Sequence, residues 1–212
     1  MDKTGQINQL GVATTNSQIL RLAALNFFTN TIFLGRLGAR ELGVNGITGV
    51  FYLILSMIGY GLSSGMQIQM ARRAGEGDKN GLAQLLTNGA MLSAMFSLGL
   101  MLFTLWLTPL LFGYSLNANS NFSMSVGFVY IRVWGLPFLM LTQIISAFFI
   151  AIGRSKVLIW GSLVATVVNI LLDYTLIFGK WGMPHLGFRG AAVASVLAEV
   201  AYCITMAGLF FY

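Results

Sequence analysis

Three stretches of this chain contain no Asp, Glu, Lys or Arg: between Glu41 and Arg72, between Lys79 and Arg132, and between Arg132 and Arg154. Each is long enough to supply the roughly 20 mostly apolar residues that one helical crossing of a bilayer requires. Charged residues make up only 8% of the 212, and mean hydropathy is +0.79. A soluble domain carries about 25% charged residues, so this surface cannot be clothed for water. The chain is therefore expected to be an all-α membrane protein. Its net charge of +6 is not a nucleic-acid footprint, because basic residues in short connectors are what membrane insertion selects.

The apolar pattern gives six spans, at roughly 19–36, 44–68, 86–112, 126–152, 157–178 and 190–211. This predicts a polar cytoplasmic tail over 1–18 and a six-helix transmembrane bundle over 19–212. The tail lacks the apolar core of a cleavable signal peptide. ARRAGEGDKNG (71–81) and GKWGMPHLGFRG (179–190) read as connectors, and Gly135 with Pro137 predicts a kink inside the fourth span. Lys3, Arg21, Arg72, Arg73, Lys79, Arg154 and Lys156 fall on one side of the membrane; Arg36, Arg40, Lys180 and Arg189 fall on the other. Seven against four places both termini in the cytoplasm, in a plasma (inner) membrane. The first span is the weakest, since Arg21, Asn26 and Asn30 interrupt it.

The most informative polar residues are Asn169 and Asp173, four apart on one face of an apolar span. An ionised carboxylate in hydrocarbon costs at least about 2.5 kcal/mol, so Asp173 calls for a polar cavity, a partner, a proton or a cation. A hydrogen bond to a neighbouring helix is the alternative role. Glu199, near the middle of the last span, is a second acid that could share a proton with Asp173 or pair with Arg132. Arg132 itself, at one end of the fourth span, is expected to snorkel to the interface. Gln143, Asn88 and Tyr52 are cavity-lining candidates, with helix-to-helix hydrogen bonding as their plainer role.

GLSSG (61–65) matches the G-x-S-x-G string of serine hydrolases, but that chemistry needs a strand–turn–helix elbow and a nearby His. The single His185 lies in a distant connector, so the chain is not expected to be an enzyme. The same residues read as G-x-x-x-G, a helix-packing motif. Cys203, the one cysteine, has no disulfide partner within the chain and is expected to be a packing residue.

TIFLGRLGARELG (31–43), GLSSGMQIQMARRAGEGDKNG (61–81), YIRVWGLPF (130–138), AIGRSK (151–156), VNILLDYTLIFG (168–179) and GFRGAAVAS (187–195) occur in this order along the chain. Together they resemble the multidrug and toxic compound extrusion (MATE) family. The resemblance implies a transporter of two six-helix lobes, of which this chain supplies the N-terminal one. It implies alternating access, export of small organic and often cationic compounds, and antiport of H⁺ or Na⁺ with no other cofactor. Asn169 and Asp173 match the residues that bind the coupling cation, which makes Na⁺ a candidate ligand there. Asn30 stands where many members have an acid, and Ser195 stands near a hydroxyl residue of the sixth helix. The implied partners are the lipid bilayer, the substrates, and a missing C-terminal half or a second copy of the chain. The first span is also shorter than the family's between ILRLA and LNFFTN.

Two other functions fit the sequence. A lipid-linked oligosaccharide flippase of the same superfamily would need more Arg and Lys in its cavity for pyrophosphate groups. A non-transporting remnant or scaffold would need neither a second half nor an ion site.

Overall fold

The computed structural model describes the backbone of residues 3–115 and 120–210, and the side chains of 17–113 and 122–210. The described residues are helical apart from short connections, with helices α1 (Lys3–Leu37), α2 (Ala39–Gly75), α3 (Lys79–Ser115), α4 (Ser120–Arg132), α5 (Leu136–Ala151), α6 (Val157–Phe178) and α7 (Phe188–Phe210). Helices satisfy every backbone group internally, which is why they cross lipid. Five segments are long and apolar enough to do so: α2, α3, the joined α4–α5, α6 and α7. The first span is not among them, and Arg21, Asn26 and Asn30 explain its lower hydropathy. It is a long helix all the same, continuous with most of the segment read as a polar tail. It packs along α6 and, less extensively, α2. Met1 and Asp2 of that segment lie outside the described residues.

The predicted break in the fourth span is a single 3₁₀ turn, Val133–Gly135, with Pro137 in the first turn of α5. Proline is tolerated there because the first helical N–H groups have no intrahelical partner. The kink matters because it sets Arg132, Gly135 and Leu136 at the centre of the bundle, where α4 and α5 meet α2, α3 and α7. The connector after the second span is tighter than its sequence suggests. α2 runs on to Gly75, Gly77 takes a left-handed conformation (φ 73°), and the Asp78 carboxylate accepts from the Gly81 N–H at 2.9 Å to cap α3.

Three apolar clusters hold the helices. Leu34, Val44, Phe128, Ile177 and Phe188 close the end at which α1 meets α2 and α6 meets α7, with the Phe128 and Phe188 rings stacked at 4.7 Å. Leu55, Met101, Val133 and Leu136 lie around the 3₁₀ turn. Phe149, Leu158 and Met206 close the other end. The outer faces present Met57, Ile68, Phe103 and Trp106, a surface suited to lipid rather than water.

Close helix contact is made at glycines, though not at the string singled out for it. Gly61 and Gly65 face open space, whereas Gly59 packs on Met140 and Gln143, Gly161 on the Tyr202 ring, and Gly190 on the Leu176 backbone. G-x-x-x-G spacing fixes only which residues share a face, not which way that face points. Ser63 of the same string is buried mid-helix and donates to the Tyr60 carbonyl at 2.9 Å. No strand–turn–helix elbow is present among the described residues.

A charged cavity among the helices

Among the described residues, the bundle has two cavities with walls of mixed polar and apolar character that share several residues. One, of about 340 Å³, is lined by Asn26, Asn30, Arg132, Asn169, Ser195, Glu199 and Tyr202, among others. The second, of about 530 Å³, has Tyr52 and Asn45 in its wall and shares Phe27, Asn30, Arg132 and Ser195 with the first. Residues scattered from 26 to 202 thus converge from α1, α2, α4, α6 and α7.

The centre of this space is an ion-paired triad. Arg132 Nη2 lies 2.8 Å from Glu199 Oε1, and both side chains are largely buried, at 17% and 13% exposure. The Tyr52 hydroxyl donates to the same carboxylate, 3.2 Å from Oε1 and 3.1 Å from Oε2. The Arg132 guanidinium stands 3.9 Å from the centre of the Tyr52 ring, within cation–π range. Arg132 therefore does not snorkel. A buried counter-charge on α7 and an aromatic face on α2 hold it inward, and neither is visible from the fourth span alone. Gly135 makes room for the triad, since a Cβ there would fall on Glu199 Oε2.

Asp173 is set apart from this pairing. It is 0% exposed, and neither carboxylate oxygen has a hydrogen-bond partner among the described residues. Asn169, one turn earlier on α6, is 2% exposed and reaches the smaller cavity. Three further buried atoms around the cavities also lack partners: Asn26 Oδ1, Asn30 Oδ1 and Arg132 Nη1. An unpaired charge in low dielectric is costly enough to acquire a proton or a counter-ion, and amide, hydroxyl and carboxylate oxygens suit a hard cation.

The MatE family profile matches residues 20–175, most of the chain. The chain belongs to the MatE family. Among the similar curated proteins is the Probable multidrug resistance protein NorM of Synechocystis sp., 30% identical over 191 residues, which cover 90% of this chain and 41% of that one. The Probable multidrug resistance protein NorM of Agrobacterium fabrum is 28% identical over 198 residues, covering 90% and 40%. The chain thus spans about two fifths of the length of the relatives it matches. Solved structures agree on the fold. A MATE crystal structure in the straight conformation superposes with TM-score 0.86 at 18% identity, covering 96% of this chain and 44% of that one. An outward-facing MATE transporter gives TM-score 0.81 at 21% identity, covering 92% and 42%.

Within this MatE chain, the cavities gather Asn30, Asn169, Ser195, Glu199 and Tyr52, with Asp173 one turn behind Asn169. Gln143 and Asn88 line neither of them. The Gln143 amide instead donates to the Ser56 carbonyl at 3.2 Å, tying α5 to α2, and Asn88 is exposed on α3. Asn26 and Tyr202 are cavity residues that the sequence did not single out. For Asn26 a signal existed: it lies four residues before Asn30, on the same helix face.

Proposed function

We propose that this chain is one six-helix lobe of a secondary-active multidrug exporter, with the coupling H⁺ or Na⁺ exchanged at Asp173 and Asn169. The supporting observation is a charge imbalance. Asp173 and Glu199 are both buried acids, and Arg132 is committed to Glu199. That leaves Asp173 in need of one positive charge. A proton would make it neutral, and Na⁺ would add the Asn169 oxygen as a further ligand. Asn30 and Ser195, in the same wall, complete a set of neutral oxygens around the space. The absence of an acid at position 30 leaves Asp173 as the charge-bearing member of the set.

The partly apolar cavities, with Phe27 and Tyr52 in their walls, suit small organic compounds, cationic ones above all. The relatives' greater length points to a second six-helix lobe, or a second copy of this chain, as the partner that completes an alternating-access path. The Lys and Arg distribution supports cytoplasmic termini, and the plasma (inner) membrane is the location proposed. A flippase for pyrophosphate-linked lipids is less well supported. Arg132 is the one basic residue in the described walls of these two cavities, and Glu199 already neutralises it.

The test is efflux of ethidium from membrane vesicles by the two-lobe transporter containing this lobe, driven by an imposed Na⁺ or pH gradient. Asp173→Asn is expected to abolish the ion dependence while the protein remains in the membrane. Full ion-driven efflux by that variant would sink the proposal.

A further inference from the structure

Three charge-free runs end on one side of the bundle: the run up to Arg72, the run that starts after Lys79, and the run up to Arg154. Where an apolar span gives way to its first charges, a chain passes from hydrocarbon into the headgroup layer. At that level the facing ends of α2, α3 and α5 surround a cavity of about 540 Å³, which shares no residue with the two described above. Its walls divide by character. Ala71, Leu82, Ala151 and Ile152 are apolar, whereas Arg73, Asp78 and Lys79 are charged. Trp160 is exposed four residues beyond Lys156 on the neighbouring helix, and indole rings favour the same interfacial layer.

The charges around this cavity do not balance. Residues 71–79 and 152–156 carry five cations, Arg72, Arg73, Lys79, Arg154 and Lys156, against two acids, Glu76 and Asp78. Both acids are already engaged. Glu76 takes Arg72 at 2.9 Å and Arg73 at 3.5 Å, while Asp78 takes Arg73 at 3.2 Å and accepts from the Gly81 N–H at 2.9 Å. Lys79 in the wall, and Arg154 and Lys156 just beyond the wall residue Gly153, make no ion pair with any described residue.

We propose that this cavity seats the headgroup of an anionic phospholipid. Lys79 and Arg73 meet the phosphate, Arg154 and Lys156 stand at the rim, and the apolar wall takes the glycerol and first acyl carbons. Basic recesses between membrane helices are suited to such headgroups. A zwitterionic headgroup fits less well, because its ammonium would meet unpaired cations and no free carboxylate. A soluble phosphate would satisfy the cations but leave the apolar wall uncovered. The bound lipid bridges the α2–α3 and α5–α6 connectors and so braces this end of the lobe. This role is independent of ion exchange at Asp173.

The test is native mass spectrometry of the full chain released from neutral detergent micelles. Phosphatidylglycerol and phosphatidylcholine with matched acyl chains are supplied in equal amounts. The first bound lipid should be phosphatidylglycerol, preferred by at least about tenfold. Lys79→Ala/Arg154→Ala/Lys156→Ala should bring that preference to within about twofold of parity. Arg36→Ala/Lys180→Ala/Arg189→Ala removes the same charge from the opposite end and should keep the preference. Ala71→Leu retains every charge but narrows the cavity, and it should lower the first adduct by about threefold or more; it also serves if the triple variant does not fold. Equal binding of the two lipids by the wild type would overturn the proposal. So would equal loss in the two triple variants, which would mean diffuse charge attraction, or an undiminished adduct in Ala71→Leu, which would mean that the cavity is not used. Loss of the lipid adduct in excess inorganic phosphate would assign the cations to a soluble anion instead and would overturn it as well.

Discussion

Gly135 offers a case in which two ordinary expectations predict opposite signs. Its backbone is helical, at φ −75° and ψ −21°, so alanine fits the conformation. On propensity alone Gly135→Ala should stabilise the chain by about 0.5–1 kcal/mol. The added Cβ, however, would fall on Glu199 Oε2 and stand 3.1 Å from Arg132 Nη1 and Glu199 Cδ. The carboxylate is the flexible end of its side chain, but it is tied to Arg132 at 2.8 Å and to the Tyr52 hydroxyl at 3.1 and 3.2 Å. Displacing it weakens hydrogen bonds to charged groups, each worth about 1.5–3 kcal/mol. Removing one partner of a buried pair outright costs about 3–5 kcal/mol. A pivot that costs about 2–3 kcal/mol outweighs the propensity gain and leaves Gly135→Ala about 1–2 kcal/mol less stable. For a chain of this length that is a fall in Tm of about 2–8 °C, measurable by thermal unfolding in detergent micelles. In a Glu199→Ala background the obstacle is gone, and the same substitution should raise Tm. A rise in the wild-type background would show that the triad does not need the space and would refute the reasoning.

Other substitutions test separate parts of the structure. Asp173→Asn should change stability by no more than about 1 kcal/mol, because its oxygens make no hydrogen bond to any described residue; thermal unfolding checks this, and a large loss would contradict it. Glu199→Met and Arg132→Met should each cost about 3–5 kcal/mol, while the double variant should cost less than either, since buried pairs replaced together leave no stranded charge. Chemical denaturation of all three gives the comparison. Gly190→Ala would place a Cβ 2.7 Å from the Leu176 carbonyl oxygen, and a backbone obstacle cannot swing aside. A loss of about 1–3 kcal/mol is expected, against no change for Gly61→Ala in its open surroundings.

Much of the bundle was legible because hydrocarbon imposes one rule on every span. The apolar pattern located α2, α3, α6 and α7 to within several residues, charge-free runs marking the first two, and Gly135 with Pro137 marked the kink in the fourth span. What local sequence could not carry was which face of each helix turns inward. Arg132 reads as an interfacial arginine until Glu199, 67 positions later, is brought beside it. The glycines of 61–65 read as a packing face, yet Gly59, two residues earlier, makes the contact. Gln143 reads first as a helix tie and second as a cavity wall, and the position of the Ser56 carbonyl supplies the partner that the tie required. The first span differs for another reason. Its polar residues lower its hydropathy below that of a membrane-spanning helix, but Asn26 and Asn30 are the residues that line the cavity. The features that weakened it as a span are the ones that make it part of the site.

The assignment of roles to the two buried acids can be tested without transport. Infrared difference spectra of the chain in lipid, recorded between ion-free and ion-loaded states at fixed pH and between high and low pH, report carboxyl groups that gain or lose a proton or a cation. The exchanging carboxyl signal should vanish in Asp173→Asn and persist in Glu199→Gln. A signal that instead persists in Asp173→Asn and vanishes in Glu199→Gln would contradict the account.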